Sequence, residues 1–561
     1  MGQLGQPVLH LRRRGASAVP PSPYSRGGVL EERGHRLGRR SALAAGLALG
    51  AAPGLVAARL AGGTPTFLRE RDHLVAGTRT GEVTTDSAVV WARTPRDGRL
   101  QVRLSSGGRV LRRVRGPWTD RRADGTARVQ LAGLAPGRDY EATVWFAAPD
   151  GSETTRDRVT FRTAPVHEAA QSFVWSGDTC GQGWGINPEL GGLTTYRAML
   201  ATRPDFFIHS GDTIYADEPM EETVLEASGD VWRNQLTEAV TKVAETLEDF
   251  RGRHRYPLLD EHVRALYSEV PTIAQWDDHE TVNNWYPGEL HDDERYRERR
   301  VDVLARRARR AWQEYQPVPV RRLVGDDGSG FAPGRIYRRV PRGRHLDVFC
   351  LDMRSYRGAN PDSAEGPTGI LGPAQERWLV ESLAASRATW KVVSADLPLS
   401  IPSHHDDDLD GPSNGIDGAP RGREHELARV LAALQVRGVR NVVWLTADVH
   451  YTAAHHYHPD RAAFTDFHPF WEFVSGPLAG GTFGRKDDVL DRTFGPQVAF
   501  SRGNDRMPVP MSPRAGRQFF GHVAIAATGE LTVTLHDSSG ASLWRTTLEP
   551  EEQRGIGSPR R

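Results

Sequence analysis

The stretch "FFIHSGDTIYAD", residues 206–217, decides the fold. Phe206, Phe207 and Ile208 make an apolar run that stops at Ser210-Gly211, and Asp212 and Tyr215 follow. An uninterrupted apolar run reads as a strand covered on both faces, and the glycine marks where it ends. The pattern recurs along the chain. "FVWSGD" ends at Asp178, "IAQWDDHE" at Asp277, Asp278 and His279, "VFCLD" at Asp352, and "VVWLTADVH" at Asp448 and His450. Helical segments such as "TTYRAMLATR", "GPAQERWLVESLAAS" and "REHELARVLAALQVRG" lie between these runs. Apolar strands alternating with helices predict a mostly parallel sheet covered on both faces, closed by antiparallel strands at "QFFGHVAIAAT" and "ELTVTLHDSSG".

In such sheets the C-terminal strand ends line one crevice. Acids and imidazoles carried there converge, and buried carboxylates need neutralising. Cations do this. Aspartate with imidazole suits Zn, Fe or Mn, and an all-oxygen set suits Mg or Ca. A lone Gly-Asp is usually a turn and a lone Asp-x-His a surface pair or helix cap. Their joint placement at successive strand ends carries the reading.

Residues 72–165 differ in pattern. "SAVVWAR", "LQVRLSS", "ARVQL", "YEATVWFAA" and "DRVTFRT" are short alternating stretches separated by Asp97-Gly98, Gly107-Gly108, Asp124-Gly125 and Asp150-Gly151. They predict a β-sandwich. "LAGLAPGRDYEATV", with Tyr140, resembles the tyrosine corner of fibronectin type III domains, and "TAPVHEAAQ" reads as a linker.

Net charge over 561 residues is +1, so no global field favours nucleic acid or an anionic membrane. Nearly all the basic residues are arginine, which suits bidentate recognition of phosphate oxygens. Cys180 and Cys350 form no disulfide framework, and Cys350 reads as a buried thiol. Arg39-Arg40 precedes an uncharged Ala/Gly-rich run interrupted by Pro53. It is too weakly apolar for a membrane helix and fits a twin-arginine-type export signal. The expected order is therefore an extension and signal over 1–65, the sandwich over 72–165, a catalytic domain over 170–549 and a tail over 550–561.

The motif order Asp178, Gly-Asp-x-x-Tyr at 211–215, Trp-Asp-Asp-His-Glu at 276–280 and Asp-Val-His at 448–450 resembles the alkaline phosphatase D family. That family belongs to the calcineurin-like metallophosphoesterases. "SGDTCGQGWGIN", "DMRSYR", "TADVHYTAAHHY" and "FWEFVSGPL" add to the resemblance, which runs from about residue 72 onward. It implies a fibronectin-III/Ig-like sandwich followed by an αββα-type metallophosphoesterase domain. It implies two or more metal ions, Fe3+ with Ca2+ favoured and Zn2+ or Mn2+ as substitutes. Asp212 takes the place of the bridging carboxylate, and Tyr215 that of a phenolate on ferric iron. Asp178, Asp278, Asn284, Asp448 and His450 take further ligand positions. His279 is placed at the leaving group, and Arg357 and Asp352 near the phosphate. In the family's best-known pattern a cysteine holds the first strand end, where this chain has Asp178; Cys180, two residues on, is a displaced ligand or a bystander, the bystander favoured.

The implied activity is hydrolysis of phosphate mono- or diesters by a secreted or periplasmic protein, exported by the twin-arginine machinery. It would be monomeric, with no stable membrane anchor and no nucleic-acid partner. The alternative substrates are phospholipid head groups or wall teichoic acid, and the non-enzyme alternative is a secreted adhesion module. Three further features invite a role. "GQGWGIN" at 181–187 offers backbone N–H groups that could cradle an oxyanion. "HHDDDLDG" at 404–411 could bind calcium but reads better as a solvated loop. Of His455, His456 and His458, at most one is expected to face the site.

Overall fold

The computed structural model describes residues 77–319, 334–360, 368–402, 404–405, 408–505 and 510–552. The proposed export signal lies outside them. Two mixed sheets pack face to face. In the first, the strands Gln171–Ser176, Phe206–Ser210 and Thr272–Gln275 run parallel at the centre. On one side Phe519–Ile525, Leu531–Asp537 and Ser542–Leu548 extend it antiparallel. In the second, Leu346–Cys350, Trp390–Ser394, Val442–Thr446 and Phe470–Val474 run parallel, flanked by Arg338–Pro341, Thr452–Tyr457 and Pro496–Arg502.

This corrects the single mostly parallel sheet read from the strand pattern and agrees with the two-sheet αββα layering that the resemblance implies; period-2 alternation explains the difference. Phe206 and Ile208 pack with Val348, Val392, Val443, Leu445 and Phe473 between the sheets. Phe207 points the other way, into Tyr196, Met199, Val263 and Leu266 of the helices Thr194–Ala201 and Glu261–Glu269. Phe349, Val393 and Trp444 likewise meet the helices Gly372–Ala385 and Glu424–Val436. The central strands are apolar on both faces because one covers a sheet and the other a helix layer. Burying a side chain of this size gains roughly 1.5–3 kcal/mol over leaving it exposed.

The first sheet does not stop at Thr272–Gln275. Gly81 pairs in parallel with Thr272, and the strands Thr78–Gly81, Ser87–Arg93 and Thr126–Ala132 carry the sheet onward. Facing them across one core is a four-stranded sheet of Arg109–Trp118, Arg99–Ser106, Asp139–Ala147 and Asp157–Arg162, in that order. Tyr140 stacks on Phe161, and its hydroxyl accepts from the Ala135 N–H at 2.7 Å. Arg109–Trp118 was not expected, because "RVLRRVRGPW" lacks the alternation of a half-buried strand. The helix Val301–Tyr315 rivets these strands to the rest: Trp91 Nε1 donates to the Glu314 carbonyl at 2.7 Å, and Arg128 to that of Val318 at 3.0 Å. Among the described residues no helix is long and apolar enough to cross a membrane.

Candidate metal centre

The strand ends deliver the expected acids. Gly177-Asp178, Gly211-Asp212, Asp277-Asp278-His279 and Asp448-Val449-His450 follow on parallel strands; both histidines and all these acids except the half-buried Asp448 are buried. Asp178, Asp212, Asp448 and His450 adopt left-handed backbone angles, φ 65, 49, 65 and 53°. Such angles cost non-glycine residues of order 1–3 kcal/mol and cluster at functional sites. Here the reversal at each strand end aims the side chain into the crevice.

Asp212, Asp278 and His279 present ligand atoms within 4.8 Å of one another, and so do Asp277, Asp278 and Asp448. Asp178 Oδ2 and Asp278 Oδ1 are buried with no hydrogen-bond partner among the described residues. Burial, reinforced by Asp277 and Asp278, holds the Asp178 and Asp448 carboxyls well above the ordinary carboxylate range. Burial does the same at Asp212, with His279 only partly offsetting it. Asp277 is pushed up by burial to about 6, although Arg354 pulls it down. A group of orphaned carboxylate oxygens that cannot all ionise is what a bound cation relieves, so the donor set fits metal.

His450 fits as well. Burial lowers its imidazole to about 3, so it is neutral. Its Nδ1 faces the Gly481 carbonyl at 2.7 Å and therefore carries the proton, which leaves the Nε2 lone pair for a donor or a cation. Tyr215 Oη sits 2.7 Å from that Nε2. Burial, then Asp212 and Asp178, raises the phenol well above its usual value, so only a strong Lewis acid would ionise it.

His279 is held differently. Its Nδ1 lies 2.8 Å from Asp217 Oδ1, its ring stacks on Tyr215, and its backbone N–H donates to Asp212 Oδ1 at 3.1 Å. Burial alone lowers the imidazolium, but Asp217, Asp278 and Asp212 outweigh it and keep the ring protonated.

Several residues have roles the sequence did not disclose. Glu280 accepts from the backbone N–H groups of Asp212, Thr213 and Asp277, and so ties two strand ends together. Arg354 places Nε 2.6 Å from Asp277 Oδ1 and Nη1 2.7 Å from Asp410 Oδ1, with Asp278 Oδ1 at 3.5 Å. Asp396, following the strand Trp390–Ser394, lies 3.9 Å from Arg354. Arg354 in "DMRSYR" gave no signal of its own, but "WKVVSAD" ends an apolar run in Asp396 as the other strand ends do, and that pattern could have found it.

Three expected site residues stand outside the acid cluster. Asp352 turns its Oδ1 to Trp276 Nε1 at 2.9 Å and to the Ser355 N–H, so it organises the turn that carries Arg354. Arg357 pairs with Asp410 at 2.8 Å. Asn284 gives its backbone N–H to Asp278 Oδ2 at 2.6 Å. The glycine-rich segment offers little of an anion cradle, because five of its seven amides are spent inside the protein. Gly181 donates to Ala479, Gln182 to Glu218, Trp184 to Gly181, Gly185 to Asn234 and Ile186 to Tyr256. Cys180 and Cys350 are buried free thiols. His455 bonds Glu472 at 3.1 Å, inside the sheet. Part of "HHDDDLDG", including Asp406 and Asp407, lies outside the described residues.

A sequence model of the PhoD-like phosphatases matches residues 173–535, the span that holds every one of these strand ends. The chain belongs to the PhoD-like phosphatase family. It is 27% identical over 422 residues to alkaline phosphatase D of Bacillus subtilis (strain 168). That match covers 68% of this chain and 65% of the relative. The fold is similar to a solved structure of PhoD, with TM-score 0.63 and 19% identity over 86% of this chain and 93% of that one. It is also similar to purple acid phosphatase PPD1 from yellow lupin (Lupinus luteus) seeds. There the TM-score is 0.50 and the identity 12%, over 84% of this chain and 73% of that one. As a PhoD-like phosphatase the chain carries buried acid and histidine groups consistent with a site for several metal ions.

Proposed function

We propose that this protein is a metal-dependent hydrolase of phosphate esters, mono- or diester. The observation that carries the reading is the convergence of Asp178, Asp212, Asp278, Asp448 and His450, with orphaned carboxylate oxygens, at the ends of parallel strands. Asp178, Asp212, Tyr215, Asp278, Asn284, Asp448 and His450 would hold the cations, with Asp212 as the carboxylate shared between them. The chemistry gained with cations in place is a hydroxide nucleophile near neutral pH and neutralised phosphoryl oxygens. His279, protonated and oriented through Nδ1 by Asp217, would give its Nε2 proton to the leaving alkoxide. Arg357 is read as the cation nearest the substrate phosphate, held by Asp410. Asp352 acts one step back, by fixing the turn before Arg354. Asp212→Asn tests the reading: p-nitrophenyl phosphatase activity and metal content should both fall at least about a hundredfold. Survival of both sinks it.

The finer proposals follow. We read Tyr215 as a ligand for ferric iron, which a visible absorption band would report, with calcium as the companion ion, which metal analysis would report. Comparing p-nitrophenyl phosphate with its bis ester decides between mono- and diester preference. We read residues 72–165 as a fibronectin-III/Ig-like sandwich in front of a catalytic domain over 170–549. Tyr140 over Ala135 supports that reading. Arg39-Arg40 and the run after it support twin-arginine export to the cell exterior or periplasm. A reporter that is exported only when folded, fused behind residues 1–65, tests that address.

A further inference from the structure

Charge is unevenly distributed along the chain. Residues 78–162 carry sixteen arginines against ten acids, whereas residues 163–561 carry 45 lysines and arginines against 57 acids. Between Gly98 and Asp120 there are six arginines and no acid. The pairing of the four-stranded sheet lines several of these up on its outward face. Arg113 stands directly opposite Arg103, Arg103 opposite Thr143, and Thr143 opposite Arg158. Arg115 lies opposite Gln101, and Trp118 opposite Arg99.

Like charges directly opposite each other destabilise a sheet. Arg158 has Glu141 at 2.8 Å. Arg103 reaches only the Thr143 hydroxyl, and Arg109, Arg113 and Arg115 have no ion-pair partner among the described residues. Glu153 lies close enough to Arg113 to offset part of its charge, and the repulsion left on the face is what an anion relieves. Its edge strand also exposes Val110, Leu111 and Trp118, at 48, 41 and 50%.

We propose that this arginine row, rimmed by Val110, Leu111 and Trp118, docks the protein on an anionic phospholipid surface. Four strands about 4.8 Å apart and eight residues long make a face of roughly 14 by 25 Å. The cavity of about 690 Å³ beside Arg103 and Arg158 also presents Asp139, Glu141, Asp205 and Glu269, which repel an anionic polymer lying in it. Arginine with tryptophan and aliphatic side chains is the composition that seats at a lipid interface. Docking here leaves the strand-end acids out of the contact, so it is separable from phosphate-ester hydrolysis.

The test is co-sedimentation of full-length protein with vesicles of phosphatidylcholine containing phosphatidylglycerol, against phosphatidylcholine alone. Each arginine near such a surface is worth about a fivefold gain in partitioning. Arg113→Ser with Arg115→Ser should therefore cut binding about 25-fold, and raised salt should weaken the wild type further. Both substitutions are on exposed residues, and an unchanged melting temperature and unchanged p-nitrophenyl phosphatase activity should accompany the loss. Asp212→Asn should bind the vesicles like the wild type. Equal binding to both vesicle types overturns the proposal, as does full binding by the arginine variant. Loss of binding in Asp212→Asn overturns it as well, because lipid would then sit at the catalytic crevice.

Discussion

Stripping metal from this protein should invert the usual dependence of stability on pH. Asp277 has a folded-state value of about 6 against an ordinary 3.8, because it is buried next to Asp278. Below pH 4 both folded and unfolded chains hold this proton, and burial costs nothing extra. As the pH rises from 4 to 6 the unfolded chain releases the proton first, so the folded state loses ground. At about 1.4 kcal/mol per pH unit, Asp277 alone removes ~3 kcal/mol by pH 6 to 7. Asp178, Asp212 and Asp448 are raised in the same direction and deepen the loss. Cations bound at the acids would keep them ionised at low cost and erase the slope. The assay is thermal unfolding from pH 4.5 to 8, with chelator-treated and metal-loaded protein in parallel. The stripped protein should lose stability toward pH 8 while the loaded protein holds it. A stripped protein that gains stability between pH 5 and 8, or two indistinguishable curves, refutes the reasoning.

Two other substitutions probe the surroundings. Asp410→Asn removes the carboxylate that Arg354 and Arg357 share, and uncovering buried cations costs about 3–5 kcal/mol. Calorimetry should show the drop and kinetics a raised KM; an unchanged melting curve and KM would make Asp410 incidental. A methyl at Gly181 would sit 2.4 to 2.7 Å from three atoms of the Tyr215 ring. Gly181→Ala should therefore weaken any tyrosinate-to-iron absorption band, measured by visible spectroscopy at equal iron content. A full-strength band would show that the ring tolerates the shift.

The layer order was partly legible because alternation and strand-end acids are local signals. "FFIHSGD" and "VVWLTADVH" announce both a buried strand and what it delivers. A strand covered by a helix layer and one covered by a second sheet look alike in sequence, so the single-sheet expectation failed. The candidate acids were legible for the same reason. Their supports were not: Glu280, Asp217, Arg354 and Asp410 gain meaning only when distant segments meet, as when Arg354 spans Asp277 and Asp410. Asp352 was expected near the phosphate; only the folded chain reveals that its Oδ1 accepts from the Trp276 indole N–H, while its Oδ2 stays buried without a hydrogen-bond partner among the described residues.

The continuous first sheet has a consequence for how the molecule can be divided. Gly81 pairs with Thr272 at the head of Thr272–Gln275, the strand that leads into Asp277, Asp278 and His279, and the Glu82 N–H donates to the Thr272 carbonyl at 3.2 Å. Removing residues 78–162 would not release a free-standing enzyme. It would strip the pairing at Thr272 and the contacts that Trp91 and Arg128 make with Glu314 and Val318, at the base of the strand that carries the candidate acids. The front strands thus brace that strand at its foot, and truncated chains should melt earlier than the whole protein.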